Sequence, residues 1–173
     1  MSPQYLGAFL ELRDIANKQT YIQIGHECRQ ATVKNLRALC GPFSLTEWSG
    51  RAFNAMWPDT FFPWTRIDKQ VTAIDRLETA IWHESRLVGM GVARGFEDGI
   101  LLEFIEGDRR DGCPLKRSRT LIFLDAATNY AQIRDLHRLY VQPMGSGLVN
   151  YYKKFGFKDP DPRSGSPYMW KEV

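Results

Sequence analysis

With 173 residues, 43% of them hydrophobic and 13% aromatic, the chain has the make-up of a single globular domain with a substantial core, too short for two and too apolar to be disordered. Its formal charge of +3 is mild and its basic residues are scattered, which argues against a nucleic-acid partner. Cys28, Cys40 and Cys113 form no CxxC pair and leave one thiol over in any intramolecular pairing, so free thiols in a reducing compartment are expected.

The N-terminus lacks a basic segment leading into an apolar run, and no stretch reaches the roughly 18 apolar residues that a membrane helix needs. No membrane partner is expected, and the default location is cytoplasmic. Residues 4–40 are patterned as helix in two parts: Tyr5, Phe9, Leu12 and Ala16 mark one face, and Val33, Leu36, Leu39 and Cys40 another. Gly41-Pro42 stops the second part. Over 43–71 the pattern breaks down, with Trp48, Trp57, Phe61, Phe62 and Trp64 set among Gly50, Pro58 and Pro63. This segment reads either as a loop that folds over the core or as the wall of an acceptor pocket built from Trp57, Phe61 and Trp64.

From 76 onward the period is that of strands. The runs 77–82, 87–93 and 100–105, separated by a polar turn at 83–86 and by Asp98-Gly99, predict a three-strand antiparallel meander. Gly89 and Gly91 inside the second strand point to a bulge or a close backbone approach. A polar loop follows, with five basic residues (Arg109, Arg110, Lys116, Arg117 and Arg119) within eleven positions, a local concentration suited to a small phosphate-bearing ligand or simply to solvent. A helix over about 118–132, apolar nearly all round, is expected to pack against the sheet. A strand at 136–141 then leads into Gly145-Ser146-Gly147, after which Leu148, Tyr151, Tyr152 and Phe155 recur at i, i+3, i+4 and i+7. Ser146 is a candidate cap for this short helix and Gly156 a candidate stop.

The fold class expected from this order is α+β, a single domain over 1–173 with a helical part at 1–42, an aromatic-rich segment at 43–71 and a core at 77–171. In that core, a strand, a helical Tyr followed after three residues by Gly-Phe, and then Tyr168-Met169-Trp170 resemble the C-terminal end of the GNAT superfamily of acetyl-CoA-dependent N-acetyltransferases. The resemblance implies a mixed, mostly antiparallel central sheet flanked by helices. It also implies acetyl-CoA as co-substrate, an amine acceptor, either small molecule or protein, and a possible homodimer.

Carried onto this sequence, the resemblance makes Tyr152 the acid that protonates the departing thiolate. Glu103 and Glu106, on the strand that contacts the acetyl group in the superfamily, are the candidate bases; alternation puts them on opposite faces, and either also reads as a surface carboxylate. The cofactor candidates are Ile105, Arg109, Arg110, Lys116, Arg117, Ser118 and Arg119, at a loop-to-helix junction where backbone N–H groups and the helix dipole favour an anion. The family's loop reads Gln or Arg, two residues, Gly, one residue, Gly or Ala. Here Pro114 stands where the second Gly belongs in one alignment and Lys116 where the first belongs in the other. Lys116, Arg117 and Arg119 are then the groups left to bind phosphate. An Asn that opens the last helix in many members is also missing, Gly145 taking its place. His26, His83 and His137 pair with nothing at ligand spacing, so no metal is expected, and no P-loop, Rossmann or GxSxG motif occurs. The alternative function is a non-catalytic protein of the same fold that binds CoA or a protein partner through the aromatic segment. Asp59, Asp68 and Asp75 lie near that segment without forming an acidic cluster.

Overall fold

The structure, a computed structural model, describes residues 3–73, 75–161 and 165–173; in its first helix, side chains are described at 16 and from 19 onward. That helix, α1 (Pro3–Cys40), runs unbroken for 38 residues, about 57 Å of rise, where two parts were expected. Its middle buries a mixed set, Cys28 beside the polar Arg29 and Thr32, which hid the period. Arg29 is 4% exposed and donates to the Glu78 carbonyl and to Glu47, while Thr32 accepts from Asn129. The side chains of Tyr5, Phe9 and Leu12 lie outside the described residues. Leu36 is buried as expected, but Leu39 is 76% exposed, because six residues from Val33 is 240° round the helix. Gly41, at φ 79°, accepts the left-handed turn that ends α1 and donates its N–H to the Arg37 carbonyl.

The 43–71 segment holds more regular structure than its composition suggested: a short edge strand β1 (Ser44–Thr46) and two short helices, α2 (Gly50–Asn54) and α3 (Trp64–Gln70). The predicted meander follows as β2 (Leu77–His83), β3 (Arg86–Phe96) and β4 (Gly99–Gly107), then α4 (Arg119–Ile133), β5 (Arg138–Val141), α5 (Ser146–Lys153) and β6 (Met169–Glu172). The six strands form one sheet in chain order, antiparallel throughout except between β4 and β5, which α4 joins as a crossover.

Helices α1 and α4 cover one face of the sheet. There Phe123, Tyr130, Leu77, Ile100 and Leu139 meet in the largest core cluster, onto which Tyr152 of α5 and Phe155, just beyond its end, also pack. Gly91 sits under the Phe123 ring, where an added Cβ would lie 2.5 Å from a ring carbon, so the glycine is required by the close approach of α4. The aromatic segment covers the opposite face: Trp48, Trp57, Trp64 and Ile67 pack on Ala80, Trp82, Met90 and Val92. The sheet carries two register shifts. One inserts Val88 into β3 opposite β2; the other inserts Glu103 into β4 opposite β3, between the pairs Leu102–Ala93 and Phe104–Val92.

Candidate active site

Strand β5 is short, and its pairing with β4 ends at Leu102–Val141. Glu103, the inserted residue of β4, comes next, and the chain after Val141 turns away at Gln142-Pro143. The bulge bends β4 where its neighbour stops, so β4 continues through 103–107 with no strand on its β5 side. Alternate residues there direct backbone N–H and C=O groups into the opening. The opening is a cleft of about 330 Å³, and Tyr152 and Leu148 of α5 form part of its wall.

Alternation of side chains divides the cleft by face. Ile105 and Leu102 turn toward α4 and α5 and pack with Tyr152. Phe104 turns the other way and meets the Phe62 ring edge-on at 5.1 Å. The inserted Glu103 removes one step of the alternation. It therefore shares the aromatic-segment face with Glu106, contrary to the expectation from strict alternation, and bonds Arg94 at 2.7 Å. The two carboxylates do different work. Glu106 is 6% exposed and accepts three hydrogen bonds, from the N–H of Phe61 (2.6 Å), the N–H of Phe62 (3.1 Å) and Nε1 of Trp64 (2.9 Å). It ties the aromatic segment to β4 and is not among the described residues that line the cleft, whereas Glu103 is. Tyr152 is half-buried, and burial, with a smaller contribution from Tyr151, pushes its phenol up to about 12, so it carries its proton at neutral pH.

The loop from Asp108 to Ser118 is held by its own charges. Asp108 is fully buried and takes Arg86 (2.7 Å) and Arg110 (2.8 Å), while its N–H extends the ladder to the Val88 carbonyl. Those hydrogen bonds, Arg110's first, hold its carboxyl well below the usual range. Arg119 folds back over Gly107 and donates to the carbonyls of Val88, Asp108 and Lys116. Two of the five basic candidates, Arg110 and Arg119, are thus committed inside the loop. Arg109 lies over the exposed Phe61 ring at 5.7 Å, Lys116 is half-exposed near Asp111 at 3.6 Å, and Arg117 faces solvent. Ser118 precedes the first turn of α4 without a side-chain capping bond.

No protein-family model matches the sequence, and no curated protein matches it. Solved structures do. The ribosomal-protein-S18-alanine N-acetyltransferase of Escherichia coli matches with a TM-score of 0.58 at 12% identity, over 76% of this chain and 94% of that one. Ard1 of Thermoplasma volcanium matches with 0.55 at 14% identity, over 76% and 97%, and a GNAT family acetyltransferase of Elizabethkingia anophelis, solved with acetyl-CoA bound, with 0.54 at 12% identity, over 77% and 99%. The chain has the GNAT fold.

Within this GNAT fold the candidate residues separate. Tyr152, Glu103 and Ile105 meet at the cleft. Trp57 and Trp64, expected in an acceptor wall, are 2% and 1% exposed and belong to the core, because large flat rings are what fills the space between the short helices and the sheet. Phe61 is 62% exposed and outside the cleft; its neighbour Phe62 lines it instead. Sequence reasoning also passed over Phe104, Met144 and Tyr168, which complete the lining. Pro143, two residues after the last β4–β5 pair at Val141, was the available signal for the opening. At the short helix, Gly145 at φ 123°, not Ser146, holds the N-cap position, and Gly156 at φ 86° makes the stop, with the Phe157 N–H returning to the Tyr152 carbonyl. Among the described residues no group of His, Cys, Asp and Glu is placed to hold a metal ion, and no helix is long and apolar enough to cross a membrane.

Proposed function

We propose that the protein is an acetyl-CoA-dependent N-acetyltransferase that transfers acetyl directly to an amine. The observation that carries this reading is the cleft between β4 and β5 with the protonated Tyr152 in its wall. The apolar lining from Ile105, Leu102 and Leu148 suits the pantetheine arm, and the unpaired backbone of 103–107 offers N–H donors to it and to the thioester carbonyl. Arg109, Lys116 and Arg117, with the first-turn N–H groups of α4, are the groups available to the pyrophosphate.

Acetyl-CoA supplies an activated acyl group and a thiolate leaving group. Glu103, paired with Arg94, takes a proton from the acceptor ammonium, directly or through water, so that the nitrogen lone pair can attack the thioester carbon. As the N–C bond forms and the C–S bond breaks, Tyr152 gives its phenolic proton to the sulfur, and the nitrogen's second proton, released as the amide forms, returns to the Tyr152 phenolate through solvent. Glu106 serves this chemistry by position: it holds Phe61, Phe62 and Trp64 against the strand that carries Glu103.

The second reading is a GNAT fold that binds CoA or a partner without transfer. The commitment of Arg110 and Arg119 to the loop itself favours it, since both are lost to a phosphate. Titration calorimetry of acetyl-CoA, with wild type beside a Lys116→Ala, Arg117→Ala double variant, tests the cofactor site, and thiol release from acetyl-CoA with a panel of amines separates the two readings. Micromolar binding that weakens at least about tenfold in the double variant, together with amine-dependent thiol release, supports the first reading, whereas binding without release supports the second. No heat at millimolar acetyl-CoA removes the first.

A further inference from the structure

The acceptor side of the cleft has a composition that selects among amines. On the face turned to the aromatic segment it presents Phe62, Phe104 and, from just before β6, Tyr168, whose ring stacks edge-on with Phe96 at 4.9 Å. Phe62 is itself braced edge-on by Trp64 at 5.8 Å, and its N–H is held by Glu106, so this ring is fixed rather than adaptable. Among all the described residues that line the cleft, Glu103 is the one charged side chain. Arg94 donates to one of its oxygens at 2.7 Å and offsets its charge, which leaves the second oxygen to accept from a single ammonium and no surplus negative field. The carboxylates in and near the aromatic segment do not add to it: Asp59 is not part of the cleft lining, Asp68 is bonded to Arg76, and Asp75 to Arg134.

An acceptor with several positive charges would leave all but one of them unpaired against aromatic walls, at the cost of desolvating each. An amine whose body is an aromatic ring meets three ring edges and faces, with its ammonium placed at Glu103 and over a ring face. The volume of about 330 Å³ is at the small end for a ligand pocket and has to hold the end of the acyl donor as well. We infer that the acceptor is a monoamine carrying an aromatic ring on a short aliphatic linker, seated between Phe62, Phe104 and Tyr168 with its nitrogen at Glu103. This rests on the transferase reading above for the purpose of the site, though not for its ligand preference.

The test is ligand-observed saturation-transfer NMR of 2-phenylethylamine and of spermidine with the full-length protein, with and without CoA, so that it does not require turnover. The expected result is saturation of the phenylethylamine ring protons and none of spermidine. Phe62→Ala should weaken the phenylethylamine effect about tenfold. Glu103→Gln, which keeps shape and loses charge, should weaken the amine but leave 2-phenylethanol unchanged. No ring saturation in either condition, or saturation unaffected by both variants, overturns the inference whatever acetyl-CoA does. Thiol release from acetyl-CoA with the same two amines gives the second arm. A protein that turns over spermidine but not phenylethylamine keeps the transferase reading and loses this one, whereas ring saturation at the cleft without acetyl-CoA binding keeps this one and loses the other.

Discussion

Tyr152 and the two glutamates show how much a side chain's role depends on its immediate partners. A tyrosine whose phenol is pushed up to about 12 by burial is a weak acid at neutral pH, which suits the proposed role of holding its proton until a thiolate forms. Tyr152→Phe is expected to lower kcat about 10²-fold while leaving the acetyl-CoA Kd within about twofold, measured by thiol release and calorimetry. Because the shift is upward, the proton is present at every pH below about 12. The kcat profile of the wild type should therefore show no fall from this group through pH 10, and a descending limb near 8 would assign the acid elsewhere. Glu106 matches the same family strand as Glu103, but three donors converge on it. Glu106→Ala leaves the buried Trp64 indole and two backbone N–H groups without their acceptor, a loss of about 3 kcal/mol in urea-unfolding stability with a red shift of tryptophan emission.

Strand β4 is the element on which the site depends, through an insertion of one residue. The bulge at Glu103 falls just where the partner strand β5 ends, so a bend and a vacancy coincide, and the cleft results from both. Neither is visible in the hydrophobic pattern of 99–107, which reads as an ordinary strand. The close seat of α4 on β3 is the other constraint on this region, since it fixes where the loop 108–118 ends. Gly91→Ala would drive a methyl group into the fully buried Phe123 ring. The expected cost is about 1–3 kcal/mol, read as a lower melting temperature, together with weaker acetyl-CoA binding as α4 is displaced. A Gly91→Ala protein as stable as wild type would mean that the ring yields.

At the scale of the whole molecule, stability should fall at both ends of the pH range for identifiable reasons. Burial raises the phenols of Tyr21, Tyr130 and Tyr152 above their ordinary value near 10. Above about pH 10 the unfolded chain releases those protons while the folded one keeps them, so stability declines as pH rises through that point. Asp108 has the opposite sign. Its carboxyl is held low by Arg110 and Arg86, so the unfolded state binds its proton first, and the stability it contributes, present above about pH 4, is lost as pH falls below. Urea midpoints from pH 2 to 11 should trace both limbs, and Asp108→Asn should flatten the acid one. The same buried carboxylate gives the β4–α4 loop a fixed shape without the glycines of the family pattern, with side-chain ion pairs in place of close backbone turns.

Period and punctuation alone located the meander, the buried helix that became α4, and the short helix α5 with its Gly156 stop, although of the expected stripe only Tyr152 and Phe155 pack on the core while Leu148 is 43% exposed at the cleft. The same signals failed along α1, where Cys28, Arg29 and Thr32 are buried through polar partners far away in sequence, and along 43–71, where short helices follow from packing of indole rings on the sheet. The residue types of the candidate site were legible: a helical tyrosine, carboxylates on a strand, a basic loop. Which carboxylate reaches the cleft, which arginines are already spent and which aromatic rings are core were decided by the tertiary structure. Those outcomes depend on a one-residue bulge and on partners brought together across tens of residues, and no local pattern of the chain encodes such distances.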